Sequence, residues 1–390
     1  MTASLREATA ILSTLVAFDT VSHKSNRALI DWVSDYLDGL GVAVSTLPSP
    51  DGQKANVFAT IGGKGGGGGG ILLSGHTDVV PVDGQDWRHD PFRLTAEEGR
   101  LYGRGACDMK GYIACVLAAV PDMLEAPLSR PIHLAFSYDE EVGCFGAIGL
   151  IDHMAAAGIR PAMAFVGEPT SMRVVNAHKG SCGMKTKVTG LACHSSRVDL
   201  GSNAIYAAMD VIDLLRRRAD ALAAAPDSLG LFEPPYSTIN VGIVHGGSAR
   251  NTVAGDCTLL WDIRATREGM VAEVRGEVEA AVAERILPAM RDRHAAAEID
   301  IETLFEIPPL LPQPNNAAEA LARELAGTGE ACSAAFGSEG GLFQRAGMPC
   351  ILCGPGDIAQ AHAPDEWVAE SQLAACQGFL DRLVAREAGA

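Results

Sequence analysis

Positive charge is scarce in this chain of 390 residues: 31 lysines and arginines stand against 48 aspartates and glutamates, a formal net charge of −17. Nucleic acids and anionic membranes attract basic patches, so this balance argues against both as partners. Long apolar runs are also missing, since no segment approaches the roughly 20 residues of a membrane-spanning helix. The acidity could attract a cationic substrate, but more simply it keeps a protein in solution.

The ten cysteines form no CxxC pair and no compact framework. In a chain of this length such a distribution indicates reduced thiols and a cytoplasmic protein. The N-terminal segment favours the same location, because its apolar residues recur at helical spacing and predict an amphipathic helix rather than a signal peptide. These residues are Leu5, Ile11, Leu12, Leu15 and Val16.

The length suggests two domains, and 47% hydrophobic residues allow a large core. Residues 1–182 and 307–390 alternate helices with continuously apolar strands, which predicts an α/β catalytic domain with a mixed, mostly parallel sheet sandwiched by helices. Residues 183–306 follow the order β-α-β-β-α-β, which predicts an inserted α+β domain with an antiparallel sheet. The six glycines at 65–70 predict a loose turn between two strands.

Five short segments place candidate metal ligands at predicted strand ends, where open α/β sheets carry their sites. Zinc accepts imidazole and carboxylate ligands without cysteine. Two histidines and three carboxylates would hold two metal ions if one carboxylate bridges them. The segments are GHTDVVP with His76 and Asp78, GRGACDMKG with Asp108, SYDEEVG with Glu140 and Glu141, VGEPTS with Glu168, and QAHAPDE with His362.

Spacing within two of these segments separates the roles of neighbouring residues. His76 and Asp78 lie two residues apart, so on an extended strand they face the same way and Asp78 can accept the second ring N–H of His76. Glu140 and Glu141 are adjacent and point apart, so one can bind metal while the other stays free as a base. One such segment alone would be an ordinary surface feature, but five together indicate a metal site.

With these motifs the sequence resembles the dinuclear zinc deacylases and exopeptidases that include acetylornithine deacetylase, succinyl-diaminopimelate desuccinylase, aminoacylase and glutamate carboxypeptidase. The motifs occur in the family's order and spacing over nearly the whole chain. The resemblance implies that His76 and Glu168 hold one zinc ion and that Glu141 and His362 hold the other. Asp108 would bridge the two ions.

The resemblance also implies catalytic roles. Glu140 would take a proton from a water held between the metal ions and later protonate the leaving amine, while Asp78 would orient His76. The inserted domain would be a lid and dimerisation domain whose His194 reaches the partner subunit's site and stabilises the oxyanion. From the residues alone, His194 could also cap a turn or lie on the surface. The peptide bond after Asp108 would be cis.

Several segments, among them VPVDGQDWRHDPF and CGPGDIAQAHAPDE, resemble the acetylornithine branch of the family. That branch implies a homodimer that hydrolyses N2-acetyl-L-ornithine to ornithine and acetate in arginine biosynthesis. Cobalt could replace zinc, because such ligands accept several divalent metals. The substrate would be held by Ser181, Asn251, Arg264, Gly337 and Ser338, to which we add Glu339 as a candidate partner of the δ-ammonium group. Without the resemblance, a structural salt bridge explains Arg264 equally well.

Three alternatives stay open at this point. An N-succinyl-L,L-diaminopimelate desuccinylase, an exopeptidase or another N-acyl amino-acid deacylase would share the same metal site. A catalytically silent metal-binding homologue would belong to another class, and the presence of every catalytic position argues against it. A thiol hydrolase using Cys107 or Cys144 would need a histidine partner that the sequence does not single out, so both cysteines are more simply buried apolar residues.

Overall fold

The structure, a computed structural model, describes residues 3–63, 69–227 and 229–389. Most of the glycine turn predicted at 65–70 therefore lies outside the described residues. The chain forms two compact units: unit 1 comprises Met1–Ala177, Leu310–Ser333 and Ser338–Ala390, and unit 2 comprises His178–Pro309 and Ala334–Gly337. Unit 2 overlaps the predicted insert, whose boundaries at 182/183 and 306/307 and whose lid and dimerisation roles stay predictions.

The elements follow one another in the α/β order that the sequence predicts. The strands are β1 (Val44–Pro48), β2 (Ala55–Ile61), β3 (Ile71–His76), β4 (Thr95–Glu97), β5 (Arg100–Tyr102), β6 (Ile132–Ser137), β7 (Met163–Pro169), β8 (Val175–His178), β9 (Gly180–Thr189), β10 (Thr238–Gly246), β11 (Asp256–Ala265), β12 (Glu298–Ile307), β13 (Cys332–Ala334), β14 (Cys350–Gly354) and β15 (Trp367–Ala369). The helices are α1 (Ala3–Val16), α2 (Arg27–Gly39), α3 (Lys110–Glu125), α4 (Phe145–Ala156), α5 (Ala204–Ala224), α6 (Met270–Ala281), α7 (Leu287–Arg291), α8 (Ala317–Ala326), α9 (Gly340–Arg345) and α10 (Glu370–Ala388).

Unit 1 is built on a mixed sheet in the order β1-β2-β6-β3-β7-β14-β8-β13. The central strands are parallel: β3 pairs with β6 and β7, and β14 pairs with β7. Every residue of β3, β6, β7 and β14 is buried, which explains their continuous apolar character. The α/β fold class predicted from the sequence is confirmed.

Helices flank this sheet and supply much of the core. The apolar stripe of α1 is buried, as predicted, and α1 packs on α3. Helix α3 is buried along nearly its whole length and contacts β3, β7 and α10. Because α3 packs on the central strands β3 and β7, the position of its N-terminal end is fixed by the core. The loop that precedes α3 carries Asp108.

Unit 2 has the predicted order β-α-β-β-α-β. Its sheet is antiparallel throughout, in the order β10-β11-β9-β12, and β9 and β11 pair over ten residues. Burial alternates along β11, and its buried residues join apolar residues of α5 and α6 in a separate core. This is the half-covered sheet that the alternating sequence pattern predicts.

Among the described residues, no helix has both the length and the apolar character needed to cross a membrane.

Candidate metal centre

The parallel strands of unit 1 bring predicted ligands to one edge of the sheet. Strand β3 ends at His76, and β7 carries Glu168 as its second-last residue. Glu140 and Glu141 follow β6 after a short turn. Because β3 runs parallel to both β6 and β7, the carboxyl ends of all three strands meet at the same edge.

Two loops bring the remaining ligands to this edge. Asp108 lies two residues before α3, and the Asp108–Met109 peptide is cis, as the family resemblance implies. His362 follows a short 3-10 turn, Ile358–Gln360, and its φ of +61° lies in the left-handed region that non-glycine residues rarely adopt. The site therefore combines candidate ligands on strands with candidate ligands on loops.

A first group of candidate ligands consists of His76, Asp108 and Glu168, all of them buried. One ligand atom from each lies within 4.8 Å of the others, and His76 Nε2 is 3.0 Å from Asp108 Oδ1. The buried Oε1 of Glu168 has no hydrogen-bond partner among the described residues. A buried carboxylate oxygen without a partner is costly, so this group fits a bound cation.

A second group consists of Asp108, Glu141 and His362. His362 Nε2 lies 3.2 Å from Asp108 Oδ2 and 3.1 Å from Glu141 Oε2. Asp108 therefore belongs to both groups and offers a different oxygen to each histidine. The two groups could therefore hold two metal ions, with Asp108 as a ligand that they share.

The electrostatics of the two groups favour a cation. Burial would raise the pKa of Asp108, but hydrogen bonds from His362 and His76 hold it below its usual range. Burial and the charge of Asp108 raise the pKa of Glu141 to about 7, and they raise that of Glu168 well above its ordinary value. Enclosed negative charge of this density is stabilised by a divalent ion, which also keeps the ligands deprotonated.

The same carboxylates also raise the pKa of both histidines. Hydrogen bonds to Asp108 and Glu141 raise the pKa of His362 to about 10. Burial opposes protonation of His76, but its hydrogen bond to Asp108 raises its pKa well above the ordinary value. Each imidazole thus sits where positive charge is favoured, and a metal ion can supply it in place of a proton.

Glu140 lies beside the two groups. Burial of its carboxyl group raises its pKa well above the ordinary range, and the neighbouring Glu141 and Asp108 add to this shift while His76 opposes it. A carboxyl group with a raised pKa can both accept and return a proton near neutral pH. This is the property that the predicted acid/base role needs.

The structure corrects the contact predicted for Asp78. His76 Nδ1 donates to the backbone oxygen of Asp78 at 3.0 Å, while the Asp78 carboxylate is 3.7 Å from that nitrogen. The carboxylate instead accepts the backbone N–H groups of Glu140 at 3.0 Å and Glu141 at 3.3 Å, and the Ser22 hydroxyl at 2.7 Å. The spacing of His76 and Asp78 does not predict this contact, because Asp78 lies beyond the end of β3, where side chains no longer alternate. Ser22 was not predicted, and no local motif marks it.

The structure also disagrees with the role that we predicted for Glu339. Its side chain is 1% exposed, and its carboxylate accepts hydrogen bonds from Ser74 at 3.0 Å and from Ser137. Both oxygens thus face hydroxyl groups of β3 and β6, which leaves no open side for a substrate ammonium group. Ser338 is likewise buried, and its hydroxyl accepts the N–H of Gly340 at 3.1 Å.

The other predicted substrate residues belong to unit 2. Arg264 on β11 lies opposite Ser181 on β9, and its Nε is 3.4 Å from Asp262 Oδ1. A Cβ built on Gly337 would lie 4.0 Å from that of Ser181. These three residues are therefore neighbours, and their contact with substrate stays a prediction.

His194 and Asn251 are also neighbours within unit 2. The N–H of Ser195 donates to the backbone oxygen of Asn251 at 2.9 Å. His194 caps a short 3-10 turn, Ser195–Leu200, because its Nδ1 accepts the N–H of Ser196 at 3.2 Å. Nδ1 also lies 2.7 Å from the hydroxyl of Ser196, so both contacts of this ring nitrogen are made with Ser196. Catalysis by His194 stays a prediction.

All ten cysteines are free, which agrees with the absence of a disulfide pattern. Cys107 and Cys144 are buried, and burial raises the pKa of both thiols well above the ordinary value. A nucleophilic cysteine requires the opposite shift. The thiol-hydrolase alternative therefore has no support at either residue.

The chain is also similar in sequence to known proteins. The sequence profile of Peptidase family M20/M25/M40 matches residues 72–386. The chain is 33% identical over 374 residues to an acetylornithine deacetylase of Proteus mirabilis (strain HI4320), covering 94% of this chain and 92% of that relative. It is 34% identical over 394 residues to an acetylornithine deacetylase of Myxococcus xanthus, covering 97% of each.

The fold is also similar to a solved structure. It matches the M20 family metallo-carboxypeptidase Sso-CP2 from Sulfolobus solfataricus with a TM-score of 0.73 at 19% identity, over 98% of this chain and 100% of that one. The family profile spans more than half of the chain, and both relatives exceed 30% identity over nearly their full lengths. The chain therefore belongs to Peptidase family M20/M25/M40 and is a metal-dependent hydrolase that acts on amide bonds.

Proposed function

We propose that this protein hydrolyses N2-acetyl-L-ornithine to L-ornithine and acetate, using two zinc ions. The observation that carries the proposal is Asp108, whose two oxygens face His76 Nε2 at 3.0 Å and His362 Nε2 at 3.2 Å and so join two groups of ligands. Relatives named acetylornithine deacetylase, identical at 33% and 34% of positions, support the choice of substrate.

His76, Asp108 and Glu168 would hold one metal ion, and Asp108, Glu141 and His362 would hold the other. Zinc is proposed because imidazole and carboxylate ligands suit it, although Co²⁺ is accepted by the same set. When bound, such ions would polarise the amide carbonyl and lower the pKa of the attacking water. The unpartnered oxygen of Glu168 supports a cation at the first group.

Glu140 acts as the acid and base of the proposed reaction. It accepts a proton from the attacking water, holds it on a carboxyl group whose pKa is already raised, and delivers it to the leaving amine. Asp78 fixes the backbone of Glu140 through its N–H group, which keeps the carboxyl group in reach of the site. Removal of the base should cost a factor on the order of 10² to 10⁴ in rate.

In this proposal, residues of unit 2 bind the amino-acid part of the substrate. Arg264 suits an α-carboxylate, since a guanidinium group can bind both oxygens at once. Its neighbour Ser181 and the nearby Gly337 would line the same position. Glu339 has no place in this part of the proposal, because its carboxylate is already bonded to Ser74 and Ser137.

The proposal includes a homodimer in which His194 acts in the site of the other subunit. Two inactive variants, Glu140→Gln and His194→Ala, test this arrangement when mixed under exchange conditions. If each subunit lends His194 to its partner, a mixed dimer regains one complete site and activity returns. No recovery in dimers shown to be mixed would contradict the exchange. A cytoplasmic location, supported by the ten free cysteines, is part of the same proposal.

The test of function compares substrates with and without metal. Metal-depleted protein is assayed on N2-acetyl-L-ornithine, N-succinyl-L,L-diaminopimelate and N-acetyl-L-methionine, before and after addition of Zn²⁺ or Co²⁺. We expect metal-dependent release of ornithine with a kcat/KM well above that of the other two. Metal-dependent turnover of another substrate would keep the mechanism and reject the substrate. No turnover of any of them would favour a silent homologue.

A further inference from the structure

A buried ion pair lies directly behind the candidate metal centre. Arg104 Nη1 donates to Glu366 Oε2 at 2.6 Å, and each side chain is only 1% exposed. Arg104 Nη2 donates to Gln85 Oε1 at 2.6 Å. A fully buried pair contributes little net stability, because removing both charges from water is costly. Its presence beside the site therefore calls for another role. We name Gln85, Arg104 and Glu366 together the clamp.

One end of the clamp holds the backbone around Asp108. Glu366 Oε1 accepts the N–H of Cys107 at 2.9 Å and the N–H of Asp108 at 3.0 Å. A carboxylate with two backbone N–H groups on one oxygen and a guanidinium on the other forms charge-assisted bonds, which are short and strongly directional. Glu366 thus sets the position of Asp108 by accepting the backbone N–H of that residue.

The other end holds the backbone of His362. Gln85 Nε2 donates to the backbone oxygen of His362 at 2.9 Å. His362 needs such support, because its side chain is 50% exposed and its φ of +61° is uncommon for a non-glycine residue. Packing alone does not enclose this ligand as it encloses His76.

We propose that the clamp is a positioning device that fixes the spacing between Asp108 and His362, and that Gln85 thereby sets the metal affinity of the Asp108–Glu141–His362 group. The inference rests on the proposed two-metal site. It assigns to Gln85 a role on one metal only, because Gln85 contacts the backbone of His362, which belongs to that group alone. Groups that support metal ligands from behind commonly change metal affinity by roughly 10- to 100-fold.

Gln85→Glu isolates this role. The new carboxylate keeps an oxygen for Arg104 and for Trp87 Nε1, which donates to Gln85 at 3.0 Å, but it loses the N–H that His362 accepts. The change removes none of the bonds that join Arg104, Glu366 and the backbone of Asp108. Gln313→Glu, at an exposed position of unit 1, introduces the same charge away from the site and serves as the matched control.

The experiment titrates chelator-treated full-length protein with Co²⁺ and follows heat and visible absorbance. For wild type and Gln313→Glu we expect two bound ions. For Gln85→Glu we expect one ion bound as in wild type and the other bound roughly 10- to 100-fold more weakly. In a His362→Ala background, which removes the second group, Gln85→Glu should cause no further change in the remaining site.

The outcomes separate the inference from the proposed function. If wild type binds two ions and Gln85→Glu binds both with unchanged affinity, the clamp does not position His362 and the inference is overturned. It is equally overturned if both sites weaken alike, or if Gln313→Glu has the same effect. If wild type binds fewer than two ions, the proposed two-metal function fails, whatever Gln85 does.

Discussion

The carboxylate of Asp78 accepts the backbone N–H of Glu140 at 3.0 Å. Through its other oxygen it also accepts the N–H of Glu141 at 3.3 Å and the hydroxyl of Ser22 at 2.7 Å. A single buried carboxylate therefore fixes the backbone of both the proposed base and a proposed metal ligand. Asp78 organises the segment after β6, while His76 is held by the Asp78 backbone oxygen.

Replacement of Asp78 by asparagine should lower kcat at saturating metal by roughly 10- to 100-fold. The amide keeps one acceptor oxygen, but its NH₂ group faces one of the N–H groups that the carboxylate accepted, so Glu140 or Glu141 must shift. Steady-state kinetics at increasing Zn²⁺ measure the effect. Ser22→Ala removes one donor and keeps both backbone contacts, so its effect should be only a few-fold. Full recovery of kcat by added metal would show that Asp78 acts on metal retention alone.

Much of the site was predictable because its candidate ligands stand in short motifs, of which those of His76 and Glu168 lie at or near strand ends. His76 and Glu168 fall at or near the carboxyl ends of parallel strands, and the rule that such ends meet at one edge suffices to bring them together. Asp108 and His362 lie on loops, and the family motifs placed them where strand geometry could not. The fold class followed from continuous apolar strands, which the buried β3, β6 and β7 explain.

Contacts between side chains that are far apart in the chain were harder to predict from the sequence. Asp78 was predicted to contact His76 through its carboxylate, but the chain leaves β3 at His76 and the alternation of side chains ends there. Glu339 was predicted to face substrate, although its partners Ser74 and Ser137 lie more than 200 residues away in the chain. Such contacts depend on tertiary packing, which no local spacing specifies.

Glu140→Gln should reduce kcat by a factor on the order of 10² to 10⁴ and leave two metal ions bound. Glutamine keeps the shape of the side chain but cannot accept the proton from the attacking water. Metal content by elemental analysis and kcat on N2-acetyl-L-ornithine check both parts. Glu125→Gln, an exposed change at the end of α3, is the matched control. A variant that lost its metals together with its activity would instead place Glu140 among the ligands.

Glu339→Ala should destabilise unit 1 without changing substrate preference. It leaves the hydroxyls of Ser74 and Ser137 buried without their acceptor, at a cost of about 1–3 kcal/mol for each. Thermal unfolding of the metal-loaded protein measures the loss, and Ser74→Ala, which removes one of the two donors, should cost less. A selective rise of KM for N2-acetyl-L-ornithine over N-acetyl-L-methionine would restore the ammonium-binding role that the structure disfavours.

Cys107→Ala and Cys144→Ala should each retain at least a tenth of the wild-type kcat, whereas a metal chelator should abolish turnover. Burial raises the pKa of both thiols, so neither supplies a thiolate near neutral pH. Parallel assays of the two variants, with and without chelator, test this expectation. Activity that survives the chelator and disappears in either variant would revive the thiol mechanism.

A buried histidine away from the metal ligands gives the protein a pH-dependent stability. His178 is fully buried, its Nδ1–H donates to the backbone oxygen of Lys179 at 2.9 Å, and its Nε2 has no partner among the described residues. Burial lowers its pKa from 6.5 to about 4. As the pH falls below 6.5 the unfolded chain takes up a proton that the folded chain refuses, so the free energy of unfolding decreases until the pH reaches about 4.

His178→Asn should remove this part of the pH dependence. Between pH 7.5 and pH 5, wild type should lose about 2 kcal/mol more stability than the variant, because only its unfolded state gains a proton at this position. Denaturant unfolding at both pH values, at equal metal concentration, gives the difference and cancels titration of the other groups. His245→Asn, an exposed change on β10, should behave as wild type. An equal pH dependence in wild type and His178→Asn would mean that folded His178 takes up its proton at an ordinary pH, through solvent or a partner that reaches Nε2.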